Sequence, residues 1–211
     1  MIRMVVALPA EARPLANHFG LERYNQLDPL SVYHRPDMAL IVSGAGREAA
    51  ASAVRDLFEY LPTEQQCAWL NVGVAGHRSH AVGTPVLATT VVNHVDGRSY
   101  ELEPPDLNCE TGEIKTVDRI ELGFEDDSVY EMEAFGFCAG AKEISEAIPV
   151  QVLKIISDNR ETGTGYVSAR QVQTLIEDCL PLIDRLVYTE NRRSRQLTVK
   201  TGLIKTEEGP D

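Results

Sequence analysis

Long apolar runs, paired cysteines and an excess of positive charge are all missing from this chain of 211 residues. No stretch approaches the roughly 20 apolar residues that a membrane span needs, and the apolar start Met1 to Leu8 is too short for a signal peptide. The four cysteines, Cys67, Cys109, Cys138 and Cys179, form no C-x-x-C pair. Neither a zinc site nor a disulfide framework is therefore expected, and they read as reduced thiols of a cytoplasmic protein. Lys and Arg number 20 against 32 Asp and Glu, a net charge of -12. That balance excludes a general nucleic-acid binder, which needs a positive face for phosphates, and a neutral or cationic small molecule is the easier partner.

What is present is enough apolar content, 43%, to bury a sizeable core in one domain or two small ones. Short apolar runs alternate with helical patterns. Residues 2–8, 38–43, 68–74, 85–95 and 151–157 read as strands. Glu48 to Leu61 carries Ala50, Val54, Leu57, Phe58 and Leu61 at the spacing of an amphipathic helix. Further helices are expected over Met132 to Ala147, stopping before Pro149, and over Ser168 to Val187. Strands that are apolar throughout, rather than alternating, must be covered on both faces, so the spacing predicts a three-layer α/β/α domain over residues 1–187. Residues 97–128 read as a loop-rich excursion with one strand, Ile114 to Leu122. Beyond residue 187 the expectation is a tail, either a hairpin around Lys200-Thr201-Gly202 or a partly disordered end, with Arg192-Arg193-Ser194-Arg195 as a solvated patch.

Chemistry-bearing residues cluster at strand ends. The run Val152 to Ile156 reads as a buried strand that ends in Ser157-Asp158, and Glu131-Met132-Glu133-Ala134 puts carboxylates at the mouth of a helix. An acid at the end of a core strand with another carboxylate nearby suits proton transfer to a polar ligand, although each could equally be a cap or turn residue. Glycine turns follow three strands: Ser43-Gly44-Ala45-Gly46, Gly73-Val74-Ala75-Gly76 and Gly163-Thr164-Gly165. Such turns let backbone amides approach a ligand oxygen, but glycine is also an ordinary way out of a strand. Gly44-Ala45-Gly46 is not followed by Lys-Ser/Thr and does not complete a dinucleotide fingerprint, which disfavours a triphosphate or NAD site.

Taken in order, Ala7-Leu8-Pro9-Ala10-Glu11, Ser43-Gly44-Ala45-Gly46, Asn71-Val72-Gly73-Val74-Ala75-Gly76, Gly83-Thr84-Pro85-Val86, Tyr130-Glu131-Met132-Glu133-Ala134 and Ile155-Ile156-Ser157-Asp158 resemble the purine nucleoside phosphorylase and nucleosidase superfamily. The likeness is greatest to its hydrolytic branch, the methylthioadenosine and adenosylhomocysteine nucleosidases, and it covers Met1 to about Val187. It implies a central mixed, twisted sheet and cleavage of the N-glycosidic bond of a purine nucleoside, with no cofactor and no metal. Asp158 matches the family acid that protonates the base, a role that requires a dry pocket. Glu133 matches the carboxylate that grips the ribose hydroxyls, and Met132 the side chain against the sugar's apolar face; read alone, Met132 is ordinary core filling. Ala75, Gly76 and Ser157 fall on matching substrate-binding positions. Glu131 either joins them or closes a helix capping box with Ser128.

Glu11 separates the branches, because the resemblance implies a glutamate there that holds the attacking water, whereas phosphorylases carry a glycine-rich, arginine-bearing segment. Arg13, Arg47 and Arg78 could still meet a phosphate, which would then be a co-substrate. The stretch from Asp96 to Met132 is shorter than is usual in the family, and Ile120 is the candidate for stacking on the base. The short stretch implies an open pocket suited to a bulky 5'-substituent or one closed by a neighbouring subunit, since the family forms homo-oligomers. His77 and Asn159-Arg160 depart from the family pattern; His77 reads as a ligand contact or a surface turn residue. A catalytically silent nucleoside-binding protein of the same fold is the competing reading.

Overall fold

In the computed structural model, four strands that are largely buried on both faces carry the centre of the sheet, and helices cover both sides. The structure describes residues 1–27, 29–62, 67–121, 123–162 and 167–200, with only the backbone described for 198–200. Strand β1 (Ile2–Val6) runs parallel to β4 (Met38–Val42) on one side and to β5 (Ala68–His77) on the other, and β5 is parallel to β10 (Val150–Asp158). Side chains alternate across these strands. Ile2, Met4, Val6, Met38 and Leu40 therefore pack on one face with Leu15 and Phe19 of α1 (Pro9–Phe19) and with Ile176 and Ile183 of α4 (Ala169–Lys200). Val5, Ile41 and Trp69 pack on the other face with Val54 and Leu57 of α2 (Arg47–Tyr60) and Phe137 of α3 (Ala134–Ile144). This is the expected α/β/α layering.

The sheet is mixed and part of it curls shut. Short β2 (Glu22–Arg23) and β3 (Ser31–Arg35) extend the open edge antiparallel beyond β4. At the other side β10 pairs antiparallel with β6 (Pro85–Asn93), β6 pairs with both β7 (Ser99–Glu101) and β8 (Glu110–Thr116), β8 pairs with β9 (Val129–Glu131), and β9 returns to β5. Strands β5, β10, β6, β8 and β9 thus close a ring. Its mouth, together with the carboxyl ends of β1, β5 and β10, makes one concave end. Ligands of open parallel sheets collect at such strand ends.

Several expected boundaries are corrected. The strand placed at Ile114 to Leu122 runs instead from Glu110 to Thr116. The last helix does not stop at Val187 but continues to Lys200, so residues 196–200 of the expected hairpin are helical; residues 201–211 and Gly163-Thr164-Gly165 lie outside the described residues. The buried stripe Cys179, Ile183, Leu186 continues with Glu190 and Ser194, whose polar character hides the period. Arg193, read as part of a solvated patch, donates to Glu190 Oε1 at 3.0 Å.

Candidate active site

A cavity of about 340 Å³ opens at that concave end, and the nine residues that the resemblance assigned to catalysis or substrate binding line it: Glu11, Ala75, Gly76, Ile120, Glu131, Met132, Glu133, Ser157 and Asp158. Other side chains on its wall include Leu8, Phe124, Tyr130 and Val172. Its size suits a nucleoside-like small molecule.

Glu11 sits in the first turn of α1, where Pro9 opens the helix and its ring fixes the entry dihedral. One carboxylate oxygen, Oε2, accepts the backbone N–H of Ala7 and of Leu8, each at 2.9 Å, and Oε1 accepts the N–H of Val74 at 3.0 Å. Burial pushes this carboxyl up, against the pull of the Lys154 ammonium and the three N–H donors. A Cβ on Gly73 would fall 2.8 Å from Glu11 Oε1, so the close approach of β5 to this carboxylate needs glycine there. With one N–H on Oε1, that oxygen keeps a lone pair for a further donor such as water.

Glu131 ends β9 and is fully engaged. Its Oε1 accepts from Thr116 Oγ1 at 2.6 Å, and its Oε2 accepts the N–H of Glu133 and of Ala134 and meets Lys154 Nζ at 2.8 Å. It therefore caps α3 through the first backbone amides, while Thr116 Oγ1 takes the next, that of Phe135. The alternative capping box with Ser128 is not formed; Ser128 Oγ donates to Glu113 instead.

Lys154 is one residue that sequence reasoning missed. It lies mid-strand in β10, 1% exposed, facing Glu131, Glu133 and Glu11. Burial alone would pull its ammonium down, but the three carboxyls outweigh burial and hold it charged. A lone cation inside an otherwise apolar strand run was the available signal, since a buried ammonium requires anionic partners.

Glu133 accepts the N–H of Gly46 on Oε1 at 2.8 Å, so the glycine turn after β4 spends this amide on the protein's own carboxylate. Burial, opposed by Lys154 and reinforced by Glu131 and Glu11, pushes Glu133 up to about 7. Three carboxyls facing one ammonium carry excess negative charge, and a proton on Glu133 relieves it.

Asp158 reaches the cavity through a β-bulge. The register between β10 and β5 shifts between Ile156 and Asp158, which lets the successive residues Ser157 and Asp158 both line the cavity. Ser157 Oγ lies 2.6 Å from Asp158 Oδ1 and donates to it.

The base-stacking expectation is only partly met. Ile120 lines the cavity but is 71% exposed, on its outer edge, whereas Phe124 is 1% exposed, lines the wall and packs edge-on against Tyr130 at 5.7 Å between centroids. His77 is neither a turn residue at the surface nor part of the lining. It is buried at the end of β5, where Nδ1 accepts the N–H of Ser79 and His80 and Nε2 therefore donates to Asp127 O at 2.9 Å. Arg13, Arg47 and Arg78 do not line the cavity either, and Arg47 is engaged by Asn93 and Asp118. Among the described residues no helix is long and apolar enough to cross a membrane, and no group of three or more His, Cys, Asp or Glu side chains could hold a metal ion.

No protein-family model and no curated protein sequence matches the chain. Solved structures do share its fold. The 5'-methylthioadenosine nucleosidase of Arabidopsis thaliana superposes with a TM-score of 0.76 at 18% identity, over 90% of this chain and 95% of that one. A 5'-methylthioadenosine/S-adenosylhomocysteine nucleosidase from Helicobacter pylori gives 0.72 at 16% identity over 89% and 97%. The futalosine hydrolase of the same bacterium gives 0.69 at 17% over 88% and 97%. The chain therefore shares the fold of these nucleosidases and this hydrolase, along nearly their full length.

Proposed function

We propose that the protein cleaves the N-glycosidic bond of a purine nucleoside of the adenosine type, with water as the nucleophile. The observation that carries this is the meeting of Glu11, Glu133 and Asp158, far apart in sequence, on one nucleoside-sized cavity. The names of the structural neighbours, nucleosidases and a hydrolase of futalosine, support the same reaction type. Cleavage needs the departing base to take up a proton and the sugar to carry developing positive charge. Asp158 supplies the proton at the base end, with Ser157 orienting its other oxygen. Glu133 accepts the ribose hydroxyls beside Met132, and those bonds strengthen as the sugar becomes cationic. Glu11, fixed by three backbone N–H groups, holds the water through its remaining Oε1 lone pair.

Water rather than phosphate is favoured because none of the candidate arginines lines the cavity. The test is purine release from a panel of 5'-substituted adenosines in phosphate-free buffer. Release without phosphate is expected. A strict phosphate requirement would make the enzyme a phosphorylase, and binding without turnover across the panel would make it a silent binder.

Glu133 sets the pH dependence. The ionised carboxylate can accept ribose hydroxyls on both oxygens, whereas the protonated group turns one of them into a donor and loses its charge, and Glu133 is pushed up to about 7. Below that pH the free enzyme carries a proton where the sugar must bind, so kcat/KM is expected to rise through pH 7 to a plateau. Glu133→Gln should be slow throughout and lack this rising limb. A wild-type profile flat between pH 6 and about 8 would contradict the assigned contact.

A further inference from the structure

Three hydrogen bonds tie the turn that follows Asp158 to the aromatic wall of the cavity. Arg160 Nε donates to Gly123 O at 3.1 Å, and its Nη2 donates to Gly123 O and, at 2.9 Å, to Phe124 O. The turn that carries Arg160 is itself braced. Asn159 is buried, its Oδ1 accepts the N–H of Glu161 and of Thr162, and its Nδ2 donates to His80 O. At the other end, Phe124 holds a left-handed backbone, φ 44°, which a bulky side chain adopts only when its surroundings impose it. Glu121 Oε1 accepts the N–H of both Gly123 and Phe124 and so fixes the amide side of that turn. The Arg160 guanidinium fixes the carbonyl side. The Phe124 ring then lies over Gly76, where a Cβ would come within 2.7 Å of it, with Asp158 Oδ2 at 3.1 Å from the same point.

From this geometry we infer that Arg160 is a positioning residue for substrate recognition: it holds the Phe124 ring as the flat wall against which a heteroaromatic base lies, at a fixed offset from Asp158. Arg160 touches no reacting atom. It acts through Phe124, and because its turn begins at Asp158, one rigid segment sets both the face and the edge of the base site. The ligand named here rests on the nucleosidase reading; the latch itself does not. A planar fork with parallel donors is what two adjacent carbonyls require, and a lysine would supply only a point donor.

The test has two readouts. In the ligand-free protein, Arg160→Ala is expected to speed amide hydrogen exchange at Gly123 and Phe124 by about 10-fold or more while α1 and α4 exchange as in wild type, and Arg160→Lys should fall between the two. Unchanged exchange at Gly123 and Phe124 in a folded variant would overturn the latch, whatever the protein binds. In equilibrium titration with adenosine analogues and in turnover, Arg160→Ala is expected to raise Kd and KM about 10-fold with kcat within about 3-fold, and Phe124→Ala to do the same. The double variant should be no worse than Phe124→Ala, because one residue works through the other. Fully additive losses would overturn the positioning role. If wild type binds no purine nucleoside, the nucleosidase reading fails, and the exchange experiment still decides the latch.

Discussion

Asp158→Asn is expected to lower kcat by about 10³-fold while leaving nucleoside affinity within a few-fold of wild type. The change is isosteric. The amide oxygen can still accept from Ser157 Oγ, which now lies 2.6 Å from Asp158 Oδ1, and its N–H can still donate to a base nitrogen. It cannot transfer a proton. Substrate and transition state therefore lose different amounts: the ground-state hydrogen bond persists, whereas neutralisation of the leaving base is lost, so the effect falls on kcat. Single-turnover base release with a 5'-substituted adenosine, beside a binding titration, separates the two terms. A variant that loses affinity and rate in equal proportion would place Asp158 in binding alone. A variant as fast as wild type would remove it from the chemistry.

Lys154→Met is expected to destabilise the fold by about 3–5 kcal/mol, because removing one partner of a buried ion pair leaves uncompensated charge behind. The side chain is fully buried with its Nζ 2.8 Å from Glu131 Oε2, and Glu131, Glu133 and Glu11 all face it. For a domain of this size that loss corresponds to a fall in Tm of roughly 10 °C or more. Methionine fills similar volume, so cavity formation contributes little and the cost is electrostatic. A second change, Glu131→Gln on the Lys154→Met background, should recover part of the loss, since it removes an anion that no longer has a partner. Chemical denaturation of the three proteins reads this coupling. A Lys154→Met protein as stable as wild type would show that the ammonium does not balance these carboxyls.

The same lysine marks where the sequence was legible and where it was not. β1, β4 and β10 could be read directly because strands buried on both faces are apolar at nearly every position, and α2 from the amphipathic spacing of its apolar residues. α1 was harder to see, since Pro9 and Pro14 interrupt its eleven residues although one is the first helical residue. β9 is three residues long, too short for any period to show. The far half of α4 was hidden because its buried stripe passes from leucine and isoleucine to Glu190 and Ser194. The carboxylates of the site were legible through motif order. Their roles were not separable by spacing: whether Glu131 binds a ligand or caps a helix depends on Thr116 and Lys154, residues 15 and 23 positions away. Phe124 gave no signal at all, because its place in the wall depends on a positive φ and on Arg160, which only the folded chain brings together.

A pair of electrostatic facts ties the site to its fold. The bulge at Ser157 brings Asp158 to the cavity, and Lys154, four residues earlier on β10, faces Glu11 and Glu133 of the same lining. One strand thus carries the proposed acid and braces the carboxyls proposed to meet water and sugar. The chemistry proposed needs both, since the proton goes to the base while negative charge must stay beside the sugar.

The most direct measurement is turnover of a 5'-substituted adenosine in ¹⁸O-labelled water, with mass analysis of the sugar product. The account predicts free purine together with a sugar carrying one labelled oxygen at its anomeric carbon, at a rate that added phosphate does not change. A sugar 1-phosphate without label, or no purine released from any nucleoside of the series, would contradict it.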